Sequence, residues 1–117
     1  MNKIPYKERC EVYDRAISRF GETTQCIVAI EEMSEVIKAL TKYLRARHKI
    51  LEARILTEWG DIPCLEWQPI DNSSIIEEVA DATIMLEQLR LIFGINDEVC
   101  EAMDEKIERL KERVSHA

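Results

Sequence analysis

Two short stretches carry the residues best suited to chemistry: Glu31-Glu32-Met33-Ser34-Glu35 and Glu78-Val79-Ala80-Asp81. In each, two acids stand three residues apart, Glu32 with Glu35 and Glu78 with Asp81. On a helix that spacing presents both carboxylates of a pair to one side. Apolar residues follow the first acid of each pair at +1, +4 and +8: Met33, Val36 and Leu40 after Glu32, and Val79, Ala82 and Leu86 after Glu78. If the two apolar stripes pack against each other, four carboxylates converge at one edge of the interface. Left alone they would repel one another and resist desolvation. A hard divalent cation, Mg²⁺ with Mn²⁺ as a substitute, offsets that charge. It prefers oxygen ligands and keeps waters that substrate phosphates can replace.

Plainer readings account for some of these acids. Acids in the first turn of a helix interact well with its dipole, and Ser74 with Glu77 fits an S-x-x-E capping box. That explains Glu77 but not Asp81, which lies about two turns in. Glu35 beside Lys38, and Glu31 near Arg45, read as surface charges. A di-iron carboxylate bundle wants Glu-x-x-His, whereas His48 and His116 follow Arg45 and Arg113 at that spacing. The sequence has no Ser-His-Asp or Cys-His arrangement, glycine-rich phosphate loop or zinc-ligand spacing.

The elements that must hold these acids are helices. The periodicity predicts a first helix over 5–20, with Pro5 in its first turn and Gly21 as its stop. A second begins at Thr23 or Thr24 and runs to about residue 57, with a break near 45–48. Its apolar stripe is Ile30, Met33, Val36, Ile37 and Leu40. Residues 59–71, WGDIPCLEWQPID, read as a loop. A third helix, 75–93, carries Ile75, Val79, Ala82, Leu86, Leu89 and Phe93 on its stripe and ends at Gly94. A fourth, 96–115, carries Val99, Met103, Ile107, Leu110 and Val114. No strand pattern or long repeat is present, so the fold class is all-α.

At 117 residues the chain reads as a single domain, 1–117, long enough for one core. Hydrophobic residues make up 46 % and charged residues 33 %, a globular mix, and three Gly and three Pro favour long helices. A net charge of −7 argues against binding a nucleic-acid backbone; the basic run KYLRARHK reads as a solvated helix face. Cys10, Cys26, Cys64 and Cys100 lack a C-x-x-C pair and read as reduced thiols, mostly buried. With no apolar core of a signal peptide and no membrane-length apolar run, a cytoplasmic protein without membrane partners is expected.

The acid pairs resemble the E-E-x-x-E … E-x-x-D signature of the MazG-like all-α nucleoside triphosphate pyrophosphohydrolases. The similarity extends through FGETTQCIVAIEEMSEVIKALTKYLR, EEVADATIMLEQLRLIFG and DEKIERLKERV, over most of residues 14–114. It implies a four-helix MazG-like bundle completed by oligomerisation, as a homodimer or homotetramer. It further implies Mg²⁺-dependent hydrolysis of a nucleoside or deoxynucleoside triphosphate to the monophosphate and pyrophosphate, a metal-activated water attacking the α-phosphate. Glu32, Glu35, Glu78 and Asp81 would ligate the metal, and Glu31 would support them.

Basic phosphate contacts are implied on the fourth helix, where Lys106, Arg109 and Arg113 share a face; an intrahelical Glu105–Arg109 pair is the alternative. Lys38 is a weaker candidate. Gln25 lies about 20° from Glu32 on the helical wheel, so its amide could read a base edge, and Trp59 or Trp67 could stack on one. Two departures stand out. The gap between Glu35 and Glu78 is longer than in compact members, and Leu110 stands where many carry an asparagine. The competing readings are a non-enzymatic acidic helical oligomerisation or interaction module, and a pyrophosphohydrolase for a different phosphorylated metabolite.

Overall fold

The computed structural model describes residues 3–58 and 72–116, with the backbone alone described over 48–58. The described residues form four helices: α1 (Tyr6–Phe20), α2 (Glu22–Glu58), α3 (Ser73–Ile92) and α4 (Asn96–Ser115). No strand occurs among the described residues, as the sequence leads one to expect. The loop read over 59–71 lies outside the described residues. α2 is continuous across its 37 residues, without the break anticipated near 45–48. That segment, RARHK, holds no Gly or Pro, and Arg, Ala and Lys are strong helix formers, so nothing there interrupts the hydrogen-bond ladder.

The helix ends follow from a few backbone groups. Gly21 adopts φ 92°, a conformation open to glycine. Its N–H donates to Ile17 O at 2.8 Å and its carbonyl accepts from Gln25 N at 3.1 Å, so one residue closes α1 and opens α2. Gly94, at φ 62°, ends α3: Gly94 N donates to Leu91 O and Ile95 N to Arg90 O, at 3.2 and 3.0 Å. This is the Schellman pattern, and it turns the chain directly into α4. α3 begins earlier than a Ser74 cap implies. Ile76 N donates to Asn72 O at 3.1 Å, which gives Asn72, a residue well suited to it, the N-cap position.

The chain divides into two compact units, Met1–Cys26 with Leu86–Ala117, and Ile27–Met85. In the first, polar groups fix the packing. Gln25 and Gln88 are both buried, and Gln25 Nε2 donates to Gln88 Oε1 at 2.7 Å. Arg90 reaches Asn96 Oδ1 and Cys100 Sγ, tying α3 to the start of α4. Cys10 and Cys26 are half-buried free thiols, while Cys100 is exposed, against the expectation of burial. Of the stripe on α4, Val99 is half-buried and Met103, Ile107, Leu110 and Val114 are exposed; α4 has no buried residue.

Tyr13 is the one buried residue of α1, and its hydroxyl donates to Glu87 Oε2 at 2.7 Å. Burial first, and the bond to Glu87 second, push its pKa up to about 12. A phenol with a raised folded-state pKa stabilises the fold fully below the ordinary value of 10, and that contribution is lost as pH climbs towards 12. Tyr13→Phe is expected to cost about 1.5 kcal/mol, a melting-point drop of about 6 °C. Thermal melts at pH 7 and pH 11 check this: the gap between wild type and variant shrinks at the higher pH.

In the second unit, α2 and α3 meet through small residues. Ala29, Ala39, Ala82 and Met85 are buried, and Val36, Tyr43, Ala46 and Ile75 are half-buried. This corrects the stripes read from the sequence. Of the α2 stripe, Val36 faces inward, while Ile30, Met33, Ile37 and Leu40 are exposed. On α3, Ile75, Ala82 and Leu89 are covered, but Val79, Leu86 and Phe93 are exposed. The same +4 position turns inward after both Glu32 and Glu78, and the same +1 and +8 positions turn out. Alanines hold three of the four buried positions here, and the larger aliphatic groups named above are left exposed.

Candidate metal centre

The inward positions of α2 in this unit run Ala29, Glu32, Val36, Ala39, Tyr43, at alternating spacings of three and four. Those of α3 run Ile75, Glu78, Ala82, Met85 in the same rhythm. Glu32 and Glu78 therefore occupy core-facing positions themselves, one on each helix, rather than the margin of an apolar stripe. Both are half-buried, as is Glu35; Asp81, one turn after Glu78, is exposed.

One carboxylate oxygen from each of Glu32, Glu78 and Asp81 lies within 4.8 Å of the other two. Glu35 stands outside this triad, with its Oε1 3.5 Å from Lys38 Nζ. It remains close enough to act on Glu78. Partial burial is the first cause raising the Glu78 pKa, and repulsion from Glu35, then Asp81, then Glu32, then Glu77 adds to it. Glu31 and Glu77 are exposed.

The donor set fits a hard divalent cation. Oxygens around an octahedral Mg²⁺ at about 2.1 Å lie about 3 Å apart when adjacent and about 4 Å apart when opposite. All three donors are carboxylates, the ligand type suited to Mg²⁺ or Mn²⁺, and the crowding that raises the Glu78 pKa is what a cation relieves.

A cavity of about 380 Å³ opens beside this cluster. Glu35, Lys38, Lys42 and Arg45 line it from α2, and Ser74 and Glu78 from α3. Lys42 and Arg45 belong to the run read from the sequence as a solvated face. Their spacing from Lys38, four then seven residues, was the available signal that they share its side of the helix.

The remaining sequence candidates separate. Gln25 belongs to the other unit, where it is buried and its Nε2 donates to Gln88 Oε1. Lys106, Arg109 and Arg113 are exposed on α4, also in the other unit. Arg109 lies 4.0 Å from Glu105, the intrahelical pair considered as their alternative. Trp59 and Trp67 lie outside the described residues. No protein-family model, no curated protein and no solved structure matches the chain.

Proposed function

We propose that this protein is a MazG-like pyrophosphohydrolase, hydrolysing a nucleoside or deoxynucleoside triphosphate to the monophosphate and pyrophosphate with the help of Mg²⁺. The observation that carries this reading is the Glu32–Glu78–Asp81 triad, two half-buried glutamates from two helices with an exposed aspartate one turn on, beside a cavity of substrate size. Three carboxylates, two of them half-buried, gathered within 4.8 Å of one another set like charges together, which a bound cation would offset. Glu32, Glu78 and Asp81 would hold the cation, which when bound neutralises phosphate oxygens and favours ionisation of water.

The chain's own residues orient the rest. Water oxygen bonds to the α-phosphorus, the bond to the bridging oxygen of the β-phosphate breaks, and pyrophosphate departs with that electron pair. The proton shed by the water passes to a carboxylate; Glu35, outside the triad and lining the cavity, serves that role in this reading. Incubation with a panel of canonical and modified triphosphates and Mg²⁺, with products resolved by chromatography, tests the proposal. A monophosphate plus pyrophosphate is the expected pair. No turnover of any member, together with melting indifferent to Mg²⁺, would favour the acidic helical interaction module.

Self-association belongs to the same reading, in a cytoplasmic setting; no helix among the described residues is long and apolar enough to cross a membrane. The outer face of α2 exposes Ile27, Ile30, Met33, Ile37, Leu40 and Leu44, by 36 to 66 %. The hydroxyls between them are already satisfied: Ser34 donates to Ile30 O at 2.9 Å and Thr41 to Ile37 O at 2.7 Å. That face can lose its water without stranding a donor. Covering a half-exposed aliphatic side chain contributes about 1 kcal/mol, so the six contribute about 6 kcal/mol per protomer. Ile37→Glu is expected to shift the assembly towards monomer by light scattering after size exclusion; wild type that is itself monomeric contradicts the oligomer.

A further inference from the structure

Lys38, Lys42 and Arg45 fall within about 60° on the face of α2, and all three border the same cavity as Glu35 and Glu78. Measured along the helix, they follow Glu35 by about 4, 10 and 15 Å. Lys38 has a partner in Glu35. Among the described residues, Lys42 and Arg45 form no ion pair. Both are exposed on a protein of net charge −7, where a solvated cation would ordinarily find an acid at i±3 or i±4. On α2 those places around Lys42 and Arg45 hold Lys38, Ala39, Thr41, Ala46 and Lys49, among others, so like charges stack on like.

Such a row is stabilised by an anion of several charges. Its polarity is specific, with acids at one end of the cavity and cations extending away from them along one helix. A ligand matched to it carries a cation-chelating group at one end and a further anionic chain beyond.

We propose that Lys38, Lys42 and Arg45 form a diphosphate-binding subsite, the part of the pocket that grips the two outer phosphates of the substrate and, after cleavage, the pyrophosphate. This rests on the proposed hydrolase reading, and moves the phosphate contacts from α4 to α2. Lys38 exchanges its Glu35 partner for phosphate oxygen, which leaves Glu35 free beside the reacting group. Lys42 supplies a point charge, and Arg45 a planar fork able to hold two phosphate oxygens at once. Ser74, in the first turn of α3, adds a hydroxyl on the opposite wall.

The test uses inorganic pyrophosphate as the probe, with Mg²⁺, by isothermal titration on the full chain. Lys42→Gln and Arg45→Gln are each expected to weaken pyrophosphate binding about tenfold. Arg45→Lys should recover part of the loss, and Lys111→Gln, the same charge change on α4, should bind pyrophosphate as the wild type does. Melting curves establish that the variants are folded, as exposed positions without partners predict. Where the wild type turns over a triphosphate, the same two variants should raise KM about tenfold and change kcat little. Unchanged pyrophosphate binding in both variants, an equal loss in Lys111→Gln, or no pyrophosphate binding by the wild type overturns the subsite. Turnover with unaffected variants overturns the subsite alone. Binding lost in both variants, with no triphosphate hydrolysed by the wild type, leaves the subsite standing and overturns the hydrolase reading.

Discussion

Asp81→Asn and Glu78→Gln are each expected to lower pyrophosphate release about a thousandfold, a loss of about 4 kcal/mol of transition-state stabilisation. Each replacement keeps shape and removes one negative charge from the triad, so the helices should persist and the chemistry should not. Asp81 is exposed and contributes little packing, which makes its variant the cleaner of the two. Glu35→Gln is expected to lose about 10²- to 10⁴-fold through loss of the proton acceptor. A steady-state assay for pyrophosphate, run beside circular dichroism of each variant, checks all three. Full activity in Asp81→Asn would remove the triad from the mechanism.

The second large effect concerns stability. A ligand that binds the folded state at one hundred times its dissociation constant stabilises by about 2.7 kcal/mol, which raises the melting temperature by about 10 °C for a domain of this size. Mg²⁺ should do this to the wild type and not to Asp81→Asn or Glu78→Gln. Glu35→Gln should keep most of the shift, because Glu35 lies outside the triad. Loss of the shift in Glu35→Gln, as complete as in Asp81→Asn, would place Glu35 among the ligands instead, as the family resemblance implies.

Without metal the sign reverses. Glu78 has a folded-state pKa raised by partial burial and by Glu35, Asp81 and Glu32, so its ionised form costs stability at neutral pH. Metal-free wild type should therefore gain stability as pH falls from neutral towards the ordinary glutamate value of 4.5. Metal-free Glu78→Gln should melt no lower than wild type at pH 7 and lack that gain.

These expectations depend on features that differ in how readily the sequence displays them. Gly21 and Gly94 announce the ends of α1 and α3, because each must supply a positive φ that other residues resist. The pairing of acids is equally open to reading, since a three-residue spacing has one geometric meaning on a helix. Which face of α2 turns inward is not open in the same way. Periodicity marks Ile30, Ile37 and Leu40, the largest aliphatic residues, whereas close packing selects Ala29, Ala39 and Ala82. Where the inner positions are held by alanines, the bulky aliphatic groups stay exposed, and hydrophobicity alone does not reveal that choice.

Glu35 illustrates a finer limit. Its register with Glu32 matches that of Asp81 with Glu78, yet Lys38 one turn on draws its carboxylate aside. Lys42 and Arg45 were visible as charges but not as cavity lining, because the rest of the lining comes from Ser74 and Glu78 of α3, at least 29 residues later in the chain.

The most direct test of the central claim is hydrolysis in ¹⁸O-labelled water with Mg²⁺, using the triphosphate turned over fastest, followed by mass spectrometry of both products. Attack at the α-phosphorus predicts one labelled oxygen in the nucleoside monophosphate and unlabelled pyrophosphate. Label in the pyrophosphate, products that are a diphosphate and inorganic phosphate, or no hydrolysis of any triphosphate would contradict it.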